Sequence, residues 1–220
     1  MKNRNLLILG GSGAIGRKVT EYAVQRGHQV TLVVRNKNNV EPHESVKVIE
    51  GDVSDYGVLA QVIPGQDAVI SCLGIKRKNG KNPWSSLVSP RNFTEQVTRN
   101  VLKLMEKYQI TRFIAVSSAG VGDSQKAMSF AMNSLVQLSN VKLSFADLDK
   151  MEQAMRASTL DTLVVRPVAL TDAEQLPSIG IVDKLDMSTT ISRASVALWI
   201  VDAVTRPERF THPTEMIGNI

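Results

Sequence analysis

Short apolar runs alternate along the chain with longer stretches whose apolar positions recur every three or four residues. The runs cover 6–9, 30–34, 46–49, 68–70, 113–116 and 162–165. They lack polar alternation, which predicts strands covered on both faces, as in a parallel sheet. Helices are predicted over 14–26, 55–63, 93–108 and 150–157, the third with Val97, Val101, Leu104 and Met105 on one face. A last helix is expected to start after Ser192 as N-cap and run to about Thr205, ahead of Pro207. Strand and helix in alternation imply a doubly wound α/β fold with a parallel sheet and right-handed crossovers. Two stretches follow neither period: 75–92, with Lys76, Arg77, Lys78, Gly80, Lys81, Pro83 and Pro90, and 171–190, with Pro177 and Gly180. Both are expected as loops on the ligand-binding face, with room for short helices.

The 220 residues, 43% hydrophobic, suffice for one substantial core, so a single domain over 1–220 is expected. Lys and Arg exceed Asp and Glu by 26 to 21, a net charge of +5 that favours an anionic ligand. The excess is mild and no nucleic-acid-binding signature accompanies it, so no nucleic-acid partner is expected. Cys72 is the only cysteine, which excludes an internal disulfide and a thiolate metal site. His28, His43 and His212 are dispersed, without zinc spacing, and are expected at surface or loop positions. The first apolar run stops at glycines after four residues, too short for a signal peptide, and no run approaches the roughly 18 residues of a membrane span. A cytoplasmic protein without a membrane partner is therefore expected. Monomer and homodimer stay open.

Directly after the first strand and before the first helix stands Gly10-Gly11-Ser12-Gly13-Ala14-Ile15-Gly16. In that context Gly10 permits the tight turn, Gly13 lets backbone approach a pyrophosphate, and Gly16 lets helix pack on sheet, while Ala14 and Ile15 open a helix whose amides favour an anion. The alternative is a loop that merely needs unusual backbone angles. The second strand ends in Val33-Val34-Arg35-Asn36-Lys37, with no carboxylate to accept from a ribose 2′-hydroxyl. A guanidinium at Arg35 can clasp a 2′-phosphate and stack on adenine, which favours NADP(H) over NAD(H).

The GxxGxxG spacing resembles that of the short-chain dehydrogenase/reductase superfamily, in its extended and atypical branches. The resemblance extends through Gly51-Asp52-Val53, Cys72-Leu73-Gly74, Val116-Ser117-Ser118-Ala119-Gly120 and Arg166-Pro167-Val168-Ala169-Leu170, which follow successive strands. The stretch from Ser158-Thr159-Leu160-Asp161 into Arg166-Pro167-Val168-Ala169-Leu170 is similar to the atypical NAD(P)H-binding group that includes flavin/biliverdin reductase-like proteins and NmrA-like sensors, and Ile191-Ser192-Arg193-Ala194 is similar to the opening of that group's last helix. The resemblance implies an NAD(P)-binding Rossmann-like fold. It implies cofactor contacts from Gly10, Ser12, Gly13, Ala14, Ile15, Gly16, Arg35, Asn36, Asp52, Val53, Cys72, Leu73, Gly74, Ser117, Pro167 and Val168. Asp52 and Val53 would meet the adenine, and 72–74 would pass under its ribose; the alternative for Asp52 is a turn aspartate capping the next helix. Cys72 is read as a packing residue beside the cofactor, since nothing nearby in sequence would activate a thiol.

Most members of that superfamily use Tyr-x-x-x-Lys as acid and base. Here Tyr22, Tyr56 and Tyr108 are the only tyrosines, and registering Glu152 and Ser158 on the family pattern puts Ser144 and Leu148 where tyrosine and lysine would stand. Of that constellation only Ser118 matches. Two readings remain: a reductase passing hydride from NADPH to a flavin, quinone or similar small acceptor that collects its proton from solvent, or a non-catalytic redox sensor of NmrA-like type. Epimerase or dehydratase chemistry would also want the missing tyrosine. Asp147, Asp149 and Lys150 near that register offer a proton relay or ordinary helix-start charges. The basic loop 76–81, with Trp84 and Arg91 beyond it, is either a flap that recruits an anionic acceptor or a solvated, disordered loop.

Overall fold

The computed structural model describes residues 3–173, 177–185 and 188–220; parts of the second expected loop, 174–176 and 186–187, lie outside the described residues. Six runs form the expected strands: β1 (Asn5–Leu9), β2 (Gln29–Val34), β3 (Val46–Glu50), β4 (Ala68–Ser71), β5 (Arg112–Val116) and β6 (Asp161–Pro167). The helices between them are α1 (Ala14–Gln25), α2 (Tyr56–Val62), α3 (Phe93–Lys107), α4 (Phe130–Gln137) and α5 (Val141–Arg156). Beyond β6 come β7 (Ala169–Thr171), β8 (Ile179–Ile181), β9 (Thr190–Ser192), α6 (Arg193–Val204) and β10 (Thr214–Asn219).

The main sheet runs β3-β2-β1-β4-β5-β6-β10-β8, parallel throughout except for β8, which lies antiparallel to β10 at the edge. The doubly wound sheet expected from the sequence is therefore present. Alternation along β1 shows how two layers are built: Leu6 and Ile8 join the cluster beneath α1 and α6, whereas Leu7 and Leu9 join the one beneath α2, α3 and α5. β5 and β6 are buried at every position, which is why their sequences show no polar alternation. On α1 the buried residues Gly16, Val19 and Ala23 form one face, and α1 packs on α6. Each fully buried aliphatic side chain contributes about 1.5–3 kcal/mol, so these two layers outweigh local helix propensity in fixing the fold.

Several expectations change. Helix α5 begins at Val141, earlier than expected, and α4 precedes it. The 75–92 loop contains no helix; a bridge between Arg77 and Leu87 and bonds such as Val88 N–H to Lys76 carbonyl (2.7 Å) order it. Within 171–190 the described residues form β8 and the ends of a β7–β9 pair in place of short helices. The Ser192 cap on α6 is as expected, its hydroxyl accepting from Ser195 N–H.

His28 is no surface residue. It is fully buried where α1 turns into β2, its Nδ1 accepts from the Arg4 amide (3.2 Å), and its Nε2 has no partner. Burial first, then the charges of Arg4 and Arg26, hold its pKa below the ordinary 6.5, with Asp67 opposing. The folded chain thus refuses a proton that the unfolded chain accepts as pH falls through that value. Stability is complete above it and is lost on acidification, with a slope of up to about 1.4 kcal/mol per pH unit. Calorimetric melting between pH 7.5 and 5 is expected to show this decline, and His28→Leu is expected to flatten it. An equally steep decline in the variant would assign the acid sensitivity elsewhere.

Candidate functional site

The strand order reverses between β1, which leads out to β2 and β3, and β4, which leads to β5 and β6. A doubly wound sheet has its crevice at the carboxyl end of such a pair. Leu9 pairs with Ser71, and the Cys72 amide donates to the Leu9 carbonyl at 2.9 Å, so the turn after β1 and the segment after β4 lie side by side. Gly10 has φ +80°, and a Cβ there would stand 2.7 Å from the Cys72 carbonyl oxygen, so both backbone angle and space demand glycine. At Gly16 a Cβ would fall 2.2 Å from the Gly10 carbonyl oxygen, because α1 sits directly on the turn. Gly13 is different: its φ is −78°, and a Cβ would meet only the Gly10 oxygen, at 3.2 Å. The crowding that fixes Gly10 and Gly16 is absent there, and the space faces outward.

Gly13 is the N-cap of α1, without a side-chain cap and with no acidic residue in the first turn. The first helical bond is Arg17 N–H to Gly13 carbonyl (2.9 Å), which leaves the amides of Ala14, Ile15 and Gly16 ahead of it as the helix's open donors. Ser12, Gly13 and Ala14 are exposed and Ile15 is half-buried. Sequence reasoning passes over Arg17, whose Nε donates to the Ser12 carbonyl (3.0 Å) and places a cation against the turn. Its signal is a basic residue directly after the third glycine. A hollow of about 530 Å³ opens beside it, bounded by Gly11, Leu32, Asn39 and Val40.

Around this turn the other expected residues stand at the carboxyl ends of neighbouring strands. Arg35 and Asn36 follow β2 and are exposed; the Asn36 side chain accepts from the Asn38 amide (2.9 Å) and starts a short 3-10 turn. Asp52 and Val53 follow β3, held near β2 by the bond from Gly51 N–H to the Val34 carbonyl. The Asp52 carboxylate accepts from the Ser54 amide (2.8 Å) and hydroxyl (2.7 Å). These two bonds, aided by the Arg35 charge and opposed by burial, hold its carboxyl below the usual range. Asp52 therefore builds a turn, but Asp55 is the residue that caps α2, accepting from Gly57 N–H. Burial pushes the Cys72 thiol up to about 12, away from the thiolate form that a nucleophile needs. A Cβ at Gly10 would also stand 3.2 Å from the Leu73 side chain, and one at Gly74, which leads into the basic loop, would meet open space.

Beyond β5, Ser117 and Ser118 diverge. Ser117 is buried and its hydroxyl donates inward to Glu152, whereas half-buried Ser118 donates to the Ala119 carbonyl (3.1 Å). Pro167, the last residue of β6, and Val168 after it close the row, the Pro167 carbonyl accepting from Ala119 N–H (3.0 Å). Glu152, in the sequence only a register mark, pairs with buried Arg166, and Arg166 reaches Asp123 at 2.7 Å. That guanidinium keeps the Asp123 carboxyl below its ordinary range. A hollow of about 700 Å³ lies alongside, lined by Gly120, Met128, Phe145 and Asp149 among others.

The acidic residues near the missing acid/base pair are spoken for. Asp147 is buried in the middle of α5, where its carboxylate accepts from the Thr94 amide (2.9 Å), the Thr94 hydroxyl and the Glu95 amide (3.0 Å). It caps α3 from a neighbouring helix, which Asn92 at the cap position does not do. Asp149 accepts from Gln153 (2.8 Å) one turn along the same helix. Neither is a helix-start charge. The basic loop is tied down as well: Trp84 Nε1 donates to the Leu138 carbonyl (3.1 Å), and Asn140 Nδ2 donates to the Trp84 carbonyl (2.8 Å). No group of His, Cys, Asp and Glu among the described residues is arranged to hold a metal, and no helix among them is long and apolar enough to cross a membrane.

The NAD(P)H-binding family model matches residues 10–207. The chloroplastic divinyl chlorophyllide a 8-vinyl-reductase of Arabidopsis thaliana is 29% identical over 184 residues, 76% of this chain and 40% of that protein. The chain spans less than half the length of the curated relatives it matches first. A wide-type short-chain dehydrogenase/reductase of Veillonella parvula, solved in complex with NADP, superposes with TM-score 0.80 at 19% identity, covering 99% of this chain and 95% of that one. ChuY, an anaerobillin reductase of Escherichia coli, superposes with TM-score 0.77 at 21% identity over 97% and 96% of the two chains. The same Rossmann-like sheet is found in these structures, and with the family match spanning nearly the whole chain, the chain belongs to the NAD(P)H-binding family.

Proposed function

We propose that the protein is an NADPH-dependent reductase that delivers hydride to a flavin, quinone or similar small acceptor without a Tyr-x-x-x-Lys pair. The observation that carries this reading is the open, uncapped start of α1 behind the glycine turn, with Arg35 and no carboxylate at the end of β2. The residues present fit the dinucleotide: the amides of 14–16 and the space outside Gly13 suit a pyrophosphate. Arg35 with Ser12 suits a 2′-phosphate, and Arg17 adds charge to the turn. Asp52 and Val53 would receive the adenine, Asn36 would flank it, and 72–74 would lie under its ribose. Ser117, by contrast, would contribute backbone only, since its hydroxyl is committed to Glu152. Pro167 and Val168 would border the nicotinamide.

When bound, the nicotinamide supplies the hydride. What the chain withholds is a strong acid: Ser144 and Leu148 occupy the register of the usual pair, Asp147 is used in capping α3, and burial pushes the Cys72 thiol up to about 12. Ser118 is left as the hydroxyl that can orient an acceptor. Flavins and quinones suit such a site because their reduced forms take protons from water. The same lack of an acid favours the second reading, a redox sensor that binds NADP(H) without turnover.

Stopped-flow mixing of the NADPH-loaded protein with flavin mononucleotide and simple quinones separates the two. Oxidation of the nicotinamide is expected; its persistence with every acceptor would leave the sensor. Titration calorimetry is expected to show tighter binding of NADPH than NADH, and Arg35→Ala is expected to remove most of the difference, on the order of tenfold or more for one charge-assisted contact. An unchanged preference in the variant would move the 2′-phosphate away from Arg35.

A further inference from the structure

We infer that the face formed by the 75–92 loop and α4, at the carboxyl edge of the sheet, docks the protein on an anionic lipid surface. The loop follows β4 and α4 follows β5, so both project from the edge that carries the candidate site. Helix α4 is oriented against the usual rule that a surface helix turns its polar side outward. Val136 is its buried residue, while Phe130 (87% exposed), Leu135 (47%) and, at its C-cap, Leu138 (76%) stand in solvent. Trp84 and Val88 of the loop, both about 60% exposed, add to them. The bonds from Trp84 to the Leu138 carbonyl and from Asn140 to the Pro83, Trp84 and Ser85 backbone lock loop and helix into one platform. An apolar patch held rigidly in water is costly unless something covers it.

Charge identifies the cover. Residues 75–92 and 124–146 carry Lys76, Arg77, Lys78, Lys81, Arg91, Lys126 and Lys142 and no carboxylate, a local surplus larger than the net charge of +5 for the whole chain. None of these cations forms an ion pair among the described residues. Exposed Trp, Phe and Leu side chains interleaved with unpaired Lys and Arg match the boundary between acyl chains and anionic headgroups. The expectation of no membrane partner rested on the lack of a spanning run, and surface docking needs none. The platform also shares Val136, Gln137 and Lys142 with the 700 Å³ hollow beside the site, so docking would bring that hollow to the bilayer surface. The inference holds whichever acceptor is reduced.

Vesicles of phosphatidylcholine alone and with one-third phosphatidylglycerol test it. The parent chain is expected to co-sediment with the anionic vesicles at physiological salt, to be released by high salt, and to ignore the neutral ones. Its Trp emission is expected to shift to the blue on anionic vesicles, and Trp84→Phe to remove that shift, leaving Trp199 silent. Phe130→Ser with Leu138→Ser, and separately Lys76→Gln with Lys78→Gln and Lys81→Gln, are each expected to weaken binding by about tenfold or more. All five side chains are exposed, so circular dichroism and NADPH binding are expected to be unchanged. No partition onto anionic vesicles, or equal partition of parent and variants, overturns the inference. So does a dimer in sedimentation velocity that Phe130→Ser with Leu138→Ser dissolves, since the face would then belong to a second copy.

Discussion

Gly13→Val is expected to leave a folded protein that no longer binds NADPH, whereas Gly16→Ala is expected to damage both fold and binding. The two glycines lie three residues apart in one turn, and what surrounds them sets them apart. At Gly13 the backbone is in a region any residue adopts, and only the Gly10 oxygen, 3.2 Å from where a Cβ would stand, must give slightly. The valine methyls would project into the space in front of the α1 amides, where a pyrophosphate would have to lie, and a loss in affinity on the order of 100-fold is expected. At Gly16 the added Cβ would meet the Gly10 carbonyl at 2.2 Å and the Gly11 Cα at 2.8 Å. Both are backbone, so α1 must lift from the turn, at a cost of about 1–3 kcal/mol, or some 2–12 °C in melting temperature for a chain of this size. Calorimetric melting and NADPH titration of the two variants distinguish a binding position from a packing position. A Gly13→Val protein that binds like the parent would move the phosphates away from this turn.

Local requirements were legible in the sequence and long-range pairings were not. The glycine turn announced itself by its spacing between strand and helix, although part of what fixes Gly10 is the Cys72 carbonyl far along the chain, and β1, β4, β5 and β6 did so because strands buried on both faces read as apolar runs. Helix α4 was hidden by its reversed polarity, with Phe130, Leu135 and Leu138 outward. Strand β10, Thr-Glu-Met-Ile-Gly-Asn, has no run of its own and is a strand because Thr214 to Ile217 pair with Val164 to Pro167. Asp147 looked like a helix-start charge or a relay because its partners, Thr94 and Glu95, are some fifty residues away in the chain. His28, expected at a surface or loop position, does lie in the connection between helix and strand, but it is buried there, its Nδ1 accepting from the amide of Arg4, a partner 24 residues away that the local sequence does not reveal.

Glu152→Ala is expected to be the most destabilising of these substitutions. Glu152 and Arg166 are both about 2% exposed, and the carboxylate accepts from Arg166 Nε (3.0 Å) and Nη2 and from the Ser117 hydroxyl. Removing it leaves a guanidinium inside the protein with Asp123 as its remaining carboxylate, and Asp123 is itself largely exposed and screened by water. A buried charge stripped of its partner costs about 3–5 kcal/mol. For a chain of this length that corresponds to a fall in melting temperature of about 6–20 °C. The damage would not stop at the pair, because the backbone of 117–123 rests on it: a Cβ at Gly122 would already touch Arg166 Nη2 at 2.9 Å, and Ser118 lies in the same segment. Glu152→Ala with Arg166→Met removes the stranded charge and is expected to recover most of the lost stability, since apolar replacement of a whole buried pair is often neutral or better. Failure of the double variant to recover would mean that the cost lies in the cavity and in the loosened 117–123 backbone. A loss below about 1 kcal/mol in the single variant would mean that Arg166 swings out to Asp123 and solvent, so that the pair contributes no more than a surface ion pair does.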